Sequence, residues 1–350
     1  MKIAIVHHQY AKRGGGMESY LFDLLAGFAR LGDTTTVFTY RVDKNAPRDQ
    51  AQEIICDRLS WCPKFIRKFS FIHRINKQFN RTKFDLSLNL TRTASQDIAV
   101  CGGTHRGYLK HLGKKSNLKD YLEIYFEQKS FVQTPHIIVH SQLLKNEIVD
   151  LYNIDAKKVH LLHPPIDTVK FCHSLKARQK DLATRFNIDP HKTTLLFPST
   201  GHKRKGWLEL LSAMRMMPQD QIELLVVGKP ISHNLPNKNI RYLGFVDNMA
   251  ELYAAVDFTI LPAHYEPFGL VAIESVQCGT PVIISAYVGA KDLLSESESI
   301  VLDQVTPENI VTAVEQARQK QFHIIPNFAE TKGLTVDAHI TNIKKICVLN

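Results

Sequence analysis

The sequence predicts an α/β protein of two tandem, doubly wound, Rossmann-like domains, and three observations carry that prediction. A chain of 350 residues is too long for one ordinary core and suits two domains of typical size. The first forty residues read as strand, glycine loop, helix and strand, which is the βαβ unit of a parallel sheet. The same alternation starts again after the break at His163-Pro164-Pro165.

The elements follow in order. Lys2-Ile-Ala-Ile-Val6 is a short apolar run that gives way to Gly14-Gly15-Gly16. From Glu18 to Leu31, Tyr20, Leu21, Leu24, Leu25 and Phe28 recur at helical spacing until Gly32 stops them, and Thr35 to Thr39 forms a second strand. Asp85–Leu90, Ile98–Cys101 and His136–His140 read as later strands, the last followed by a helix from Ser141 through Val149. Beyond a connector at Ile166–His173, strands are expected at Thr194–Pro198, Glu223–Val227, Ile240–Leu243, Phe258–Leu261 and Pro281–Ile284. Helices are expected at Trp207–Met216, Met249–Ala255 and Gly269–Gln277. Val336–Leu349 is a helix that would return to pack on the first domain. The domains are therefore residues 1–165, joined by about 334–350, and residues 166–333. Two such sheets are expected to face each other across a cleft, because ligands of doubly wound sheets bind outside the C-terminal strand ends.

Composition narrows the function classes. With 44% hydrophobic and 22% charged residues the chain reads as globular. It has no apolar run of about 20 residues, and its start lacks the long apolar stretch of a signal peptide, so a cytoplasmic protein is expected. Six scattered cysteines form no CxxC pair and read as free thiols. Among 16 histidines there is no HExxH; His160 and His163 share a three-residue spacing, and no metal site is expected. Residues 1–165 hold 25 Lys/Arg against 15 Asp/Glu, whereas the rest holds 19 of each. A one-sided basic domain attracts polyanions: nucleic acid, anionic lipid headgroups or phosphorylated glycans. The basic segment Lys64–Lys77 places Phe65, Phe69 and Ile72 near helical spacing among Arg67, Lys68, Arg74 and Lys77. Such a helix either lies on an anionic membrane surface or packs on its own domain.

Chemistry concentrates in Glu266-Pro-Phe-Gly-Leu-Val-Ala-Ile-Glu274. Gly269 opens a helix there, and the N–H groups of Phe268, Gly269 and Leu270 at its tip can hold a diphosphate. Glu274 lies about five residues along the helix, on the order of 8 Å from the tip. A carboxylate at that distance can accept ribose hydroxyls, while Glu266, still in the loop, can accept those of a transferred sugar. Arg204 and Lys205 stand between a strand and a helix, where two cations can offset the charge that grows on a departing diphosphate. Without that position, Lys203-Arg204-Lys205 would read as a solvated loop. Gly15 and Gly16 allow backbone to approach a phosphate, although a tight βα turn accounts for them equally well and GxGxxG is incomplete. His105, after Gly102-Gly103 at a strand end, can donate to a sugar hydroxyl or orient an acceptor; a lone histidine is also commonly structural. Glu18 sits in the first turn of a helix, where acids are favoured anyway, and Asp167 can cap a turn.

These segments resemble the EPFG…E signature of the retaining glycosyltransferases of family 4, which have the GT-B fold. The similarity runs through Gly14–Glu18, Cys101-Gly-Gly-Thr-His105, His163–Asp167, Gly201–Gly206, Val226-Val-Gly228 and Gly279-Thr-Pro281. Within the family it is most like the bacterial enzymes that add hexoses to the lipopolysaccharide core. The resemblance implies retaining, metal-independent transfer of a hexose from a nucleoside-diphosphate sugar, UDP being the expected nucleotide, with no other cofactor. It places the donor on the second domain, with Arg204, Lys205, Glu266, Phe268, Gly269, Leu270 and Glu274. It puts an anionic glycolipid or phosphorylated glycan acceptor on the basic first domain near Glu18 and His105, with Gly15 and Gly16 close to the diphosphate. A peripheral contact with the inner face of the cytoplasmic membrane is the matching expectation for the basic domain, and nucleic acid is not expected. Three alternatives share parts of this pattern. An epimerase or phosphorylase of the same fold would not need a basic acceptor face, and a nicotinamide oxidoreductase would need the missing GxGxxG. A nucleic-acid-binding protein would explain the charge and leave residues 266–274 without a role.

Overall fold

The computed structural model describes residues 1–11, 15–57, 59, 62–63, 66–231 and 238–348. They form two compact units, Met1–Pro165 with Leu334–Asn350, and Ile166–Gly333.

The first unit contains β1 (Lys2–Val6), α1 (Gly16–Arg30), β2 (Thr34–Thr39), β3 (Glu53–Cys56), α2 (Arg67–Gln78), β4 (Leu86–Asn89), β5 (Ile98–Cys101), α3 (His105–His111), α4 (Leu118–Gln133), β6 (His136–Val139), α5 (Gln142–Tyr152) and β7 (Val159–Leu161). Its strands form one parallel sheet in the order β3-β2-β1-β4-β5-β6-β7. The second unit contains α6 (Gln179–Arg185), β8 (Thr193–Ser199), α7 (Trp207–Met216), β9 (Ile222–Gly228), β10 (Ile240–Gly244), α8 (Met249–Ala255), β11 (Phe258–Leu261), α9 (Leu270–Gln277), β12 (Val282–Ser285), β13 (Ser299–Leu302), α10 (Pro307–Gln319) and α11 (Phe328–Thr331). Its parallel sheet runs β10-β9-β8-β11-β12-β13. Helices cover both faces of such sheets, which is why β4, β5, β8, β9, β11 and β12 are buried almost throughout. In each sheet the winding reverses once, between β1 and β4 and between β8 and β11. The reversal opens a crevice at the C-terminal strand ends.

The strand at 53–56, α3, α4, β7, α6, β13, α10 and α11 escape the sequence reading for local reasons. β3 and β13 are edge strands of four residues each. Helix α4 is turned inside out: Glu123, Glu127 and Ser130 are buried, whereas Leu118, Tyr121, Leu122, Tyr125 and Val132 are exposed. Much of its apolar surface therefore points away from the core, although Phe131 near its end is buried.

Helix α2 corrects part of the reading of the basic segment; Lys64 and Phe65 lie outside the described residues. Phe71 and Ile72 are buried in its own unit, Phe69 stacks on Phe126 at 5.4 Å, and Lys68 is paired with Glu123 at 2.7 Å. Its apolar side is spent on packing. Among the described residues no helix is long and apolar enough to cross a membrane, and all six cysteines are free thiols.

The final helix, α12 (Val336–Val348), packs on α1. Arg30 meets Asp337 at 2.7 Å, and the Tyr20 hydroxyl meets His339 Nε2 at 2.7 Å in a buried site. Contact is close because residue 27 has no side chain: a Cβ there would stand 2.6 Å from Ile340 Cγ1 and 2.7 Å from Val336 Cγ1. Gly27→Ala should therefore push α12 outward and cost about 1–3 kcal/mol despite its better helix propensity. Denaturant unfolding of the two proteins checks this; an unchanged or raised midpoint would show that α12 does not depend on the close approach.

Candidate active site

The second unit's crevice is built by the two loops that leave β8 and β11. After β8 the chain runs through Gly201–Gly206 into α7. Gly206 has φ +75°, and a Cβ on it would lie 1.9 Å from the Pro262 carbonyl oxygen, so only glycine lets the two loops touch. The His264 amide donates to the Arg204 carbonyl at 2.9 Å, a second tie between them.

Arg204 and Lys205 both turn toward Glu266. Arg204 Nη1 donates to the Tyr265 carbonyl at 2.7 Å and lies 3.0 Å from Glu266 Oε2. Lys205 Nζ donates to the Pro198 carbonyl at 3.1 Å and lies 3.5 Å from the same carboxylate oxygen. Lys205 is buried, and burial pushes its ammonium below the usual lysine range while Glu266 opposes the shift. Glu266 is set by its backbone, which bridges Val288: its amide donates to Tyr287 and its carbonyl accepts from Gly289, both at 3.0 Å.

Gly269, at φ +96°, opens α9, and a Cβ on it would stand 2.7 Å from Val288 Cγ1. Phe268 is buried and its carbonyl accepts from Ala290 at 2.7 Å. The first amides of α9, from Leu270 onward, have no acceptor within the helix. Glu274 Oε2 accepts from the Tyr253 hydroxyl at 3.0 Å. Burial raises the Glu274 carboxyl above its ordinary range, opposed by Tyr253 and by Lys170 and Lys205. Tyr253 and Lys170 were not singled out in the sequence; an isolated tyrosine on a helix and a lysine in a connector carry no motif. His264, in the same loop as Glu266, meets Glu209 at 3.0 Å.

The residues expected in the first unit fall into two groups. Gly15 caps α1 in extended backbone and Gly16 begins the helix, Gly14 lying outside the described residues. Glu18, in the first turn, faces His7 and His8. His105 begins α3, with Nε2 2.8 Å from Asp120 Oδ1 and its amide donating to Glu127 at 2.8 Å. Glu127 and Glu123 are buried and held by Arg92, and Tyr152 donates to Glu127. This ion cluster positions the backbone of His105; it was missed because its members lie far apart in sequence and follow no spacing rule. His160 and His163 are not brought together: His160 pairs with His136 at 3.1 Å, and His163 meets the His140 carbonyl at 2.9 Å. Asp167 accepts from Val169 and Lys170 in a turn.

Two cations converge on one carboxylate at a sheet's switch point, next to a helix tip, and the two doubly wound units have the GT-B arrangement of elements. The model for the glycosyl transferases group 1 matches residues 179–326, and that for glycosyltransferase family 4 matches residues 14–170. A probable transglycosylase of Burkholderia thailandensis is 35% identical over 290 residues, covering 83% of this chain and 79% of that protein. The chain belongs to the glycosyltransferases, of group 1 and family 4. Among solved structures, WaaG, a glycosyltransferase involved in lipopolysaccharide biosynthesis, superposes with a TM-score of 0.78 at 16% identity, covering 98% of this chain and 95% of that one. HepE of Anabaena in complex with UDP-glucose gives a TM-score of 0.76 at 15% identity over the whole of both chains. The likeness to both establishes the GT-B fold.

Gly206→Ala should displace the loop that carries Arg204 and Lys205, costing about 1–3 kcal/mol in stability and nearly all transferase activity. Gly201→Ala, whose Cβ would meet nothing closer than the Arg204 side chain at 3.8 Å, is the control. Equal activity in the two variants would contradict the contact between the loops.

Proposed function

We propose that the protein is a retaining hexosyltransferase that takes a hexose from a nucleoside-diphosphate sugar, a UDP-hexose, and passes it to a glycan or glycolipid of the lipopolysaccharide-core type. The observation that carries this reading is the convergence of Arg204 and Lys205 on Glu266 beside the tip of α9. In the proposed complex the diphosphate takes the place at that tip, bound by the amides of Phe268, Gly269 and Leu270. Arg204 grips its oxygens and Lys205 adds a fixed charge, so the leaving group needs no metal. Glu274 accepts the ribose hydroxyls, exchanging its bond from Tyr253 for theirs, and Glu266 receives the hexose hydroxyls.

Retention through a covalent intermediate would need a carboxylate free to attack. Glu266 is engaged by two cations, which favours same-face attack with the departing phosphate oxygen taking the acceptor's proton. The solved neighbours support the donor and acceptor classes: one was crystallised with UDP-glucose, and the other is named for lipopolysaccharide biosynthesis. A second reading, transfer from one glycan to another, is favoured by the name of the Burkholderia relative, a probable transglycosylase.

Calorimetry with UDP, GDP, ADP, CMP and NAD separates these readings. UDP should bind, and Glu274→Ala and Arg204→Ala should each weaken it at least tenfold, about 1.4 kcal/mol. No nucleotide binding would move the glycan-to-glycan reading ahead, and binding of NAD alone would overturn both.

The acceptor side supports a glycolipid at a membrane surface. Leu118, Tyr121, Leu122 and Tyr125 form one exposed face of α4, and Lys119 in its first turn, Lys114 and Lys115 just before it and Lys110 at the end of α3 are also exposed. Apolar and aromatic side chains ringed by lysines are the composition that binds an anionic bilayer. The wild type should sediment with vesicles containing anionic lipid, and Leu118→Ser/Tyr121→Ser/Tyr125→Ser should stay in the supernatant with its folding intact. Co-sedimentation of the triple variant at wild-type level would exclude α4 as the contact.

A further inference from the structure

We infer that the first unit carries a binding site for one transition-metal dication, formed by His7 Nε2, His8 Nε2 and the Glu18 carboxylate. Among the described residues these three have their ligating atoms within 4.8 Å of one another. His7 Nε2 and His8 Nε2 stand 3.7 and 3.8 Å from the same Glu18 Oε1. Bonds of about 2.1 Å to a tetrahedral ion would set the ligand atoms roughly 3.4 Å apart, so each histidine–glutamate gap need close by only a few tenths of an ångström.

The surroundings of His7 argue for an ion. Its ring is fully buried, and Nδ1 lies 3.2 Å from the Leu90 carbonyl oxygen. A carbonyl only accepts, so Nδ1 donates there and Nε2 is the ring atom turned toward Glu18. That atom is buried and has no hydrogen-bond partner among the described residues. It faces a Glu18 carboxylate oxygen at 3.7 Å, a gap that an ion held between them would fill. The His8 ring lies 4.3 Å from that of His7, and its Nε2 faces the same oxygen at 3.8 Å. Two ring nitrogens and one carboxylate thus converge on a single point, where a metal ion can bind all three. A histidine whose Nδ1–H donates to a carbonyl while Nε2 ligates is the common outer-shell arrangement at such sites.

The donor set selects the ion. Two imidazoles and one carboxylate suit zinc and its neighbours rather than magnesium or calcium, which take oxygen ligands. The cations that bear on His8, Lys68 and Arg92, are themselves paired with Glu123 and Glu127. The site lies at the β1–β4 reversal of the first sheet, since His7 leaves β1 and Leu90 follows β4. Three protein ligands leave a four-coordinate ion one open position, which fits a phosphate or hydroxyl oxygen. That use of the open position rests on the acceptor assignment above, whereas the ion site itself does not.

The test is metal binding by the full chain after chelator treatment, followed by calorimetry with zinc and by the visible bands of cobalt(II). One equivalent of zinc should bind with a dissociation constant of about 1 μM or tighter (about −8 kcal/mol), unaffected by excess magnesium. His8→Ala and Glu18→Gln, both at partly exposed positions, should each weaken it at least tenfold with unchanged circular dichroism. His160→Ala, which breaks the other close histidine pair, should leave it unchanged. Absence of a stoichiometric zinc equivalent would overturn the site, as would full-affinity binding in His8→Ala/Glu18→Gln. UDP binding measured on the same samples keeps this outcome separate from that of the donor assignment.

Discussion

An ammonium group taken almost wholly out of water must be paired, and in this protein that requirement falls on Lys205. Removing such a group from water without a counter-charge would cost several kcal/mol. Glu266 supplies the counter-charge, Pro198 a carbonyl, and Arg204 shares the same carboxylate oxygen. The consequence is mechanical as well as electrostatic. The loop after β8 and the loop after β11 are clasped to each other, and both cations are fixed before any anion arrives. Gly206 makes the clasp sterically possible, and Gly269 lets the second loop pass into α9 within reach of Val288. In the proposed reaction the positive charge that meets the leaving group is thus organised in advance, when organisation costs least.

The first unit handles buried charge differently. Arg92 and Lys68 are held inside by Glu123 and Glu127 from α4, and Glu127 also takes the Tyr152 hydroxyl and the His105 amide. Because α4 presents acids inward, Leu118, Tyr121, Leu122 and Tyr125 are left on the surface. One helix therefore both positions the start of α3 and exposes an apolar face among lysines. The basic excess of residues 1–165 acquires a location through it: α2, the more obviously basic helix, has its apolar side packed and Lys68 already neutralised.

Both sheets repeat one design. Each reverses its winding once, and each reversal collects polar side chains at the C-terminal strand ends: His7, His8 and Glu18 in the first, Arg204, Lys205 and Glu266 in the second. The first set offers metal-ligating nitrogens and a carboxylate, the second two cations. In the proposed assignments the first takes a cation and the second a diphosphate.

The sequence by itself determined the two parallel sheets and most of their elements. Alternation of apolar runs with helical periodicity is imposed by covering a sheet on both faces, and glycines mark where chain must approach chain. Gly269 was legible as the residue that opens a helix, whereas the role of Gly206 was not, and Arg204 and Lys205 were legible through their place between strand and helix. The return of the final helix to the first unit was also expected from the sequence. What only the tertiary structure decided is which charges meet. The Arg92–Glu123–Glu127 cluster, the Tyr253–Glu274 bond and the His7–His8–Glu18 convergence join residues from separate elements, and no local period records them. The inverted helix α4 was illegible for a related reason: its pattern is correct for a helix and wrong for its side, because three buried ion pairs outweigh the burial of its leucines and tyrosines. Periodicity reports where apolar surface lies on an element, whereas the pairing of buried charge decides which way the element turns.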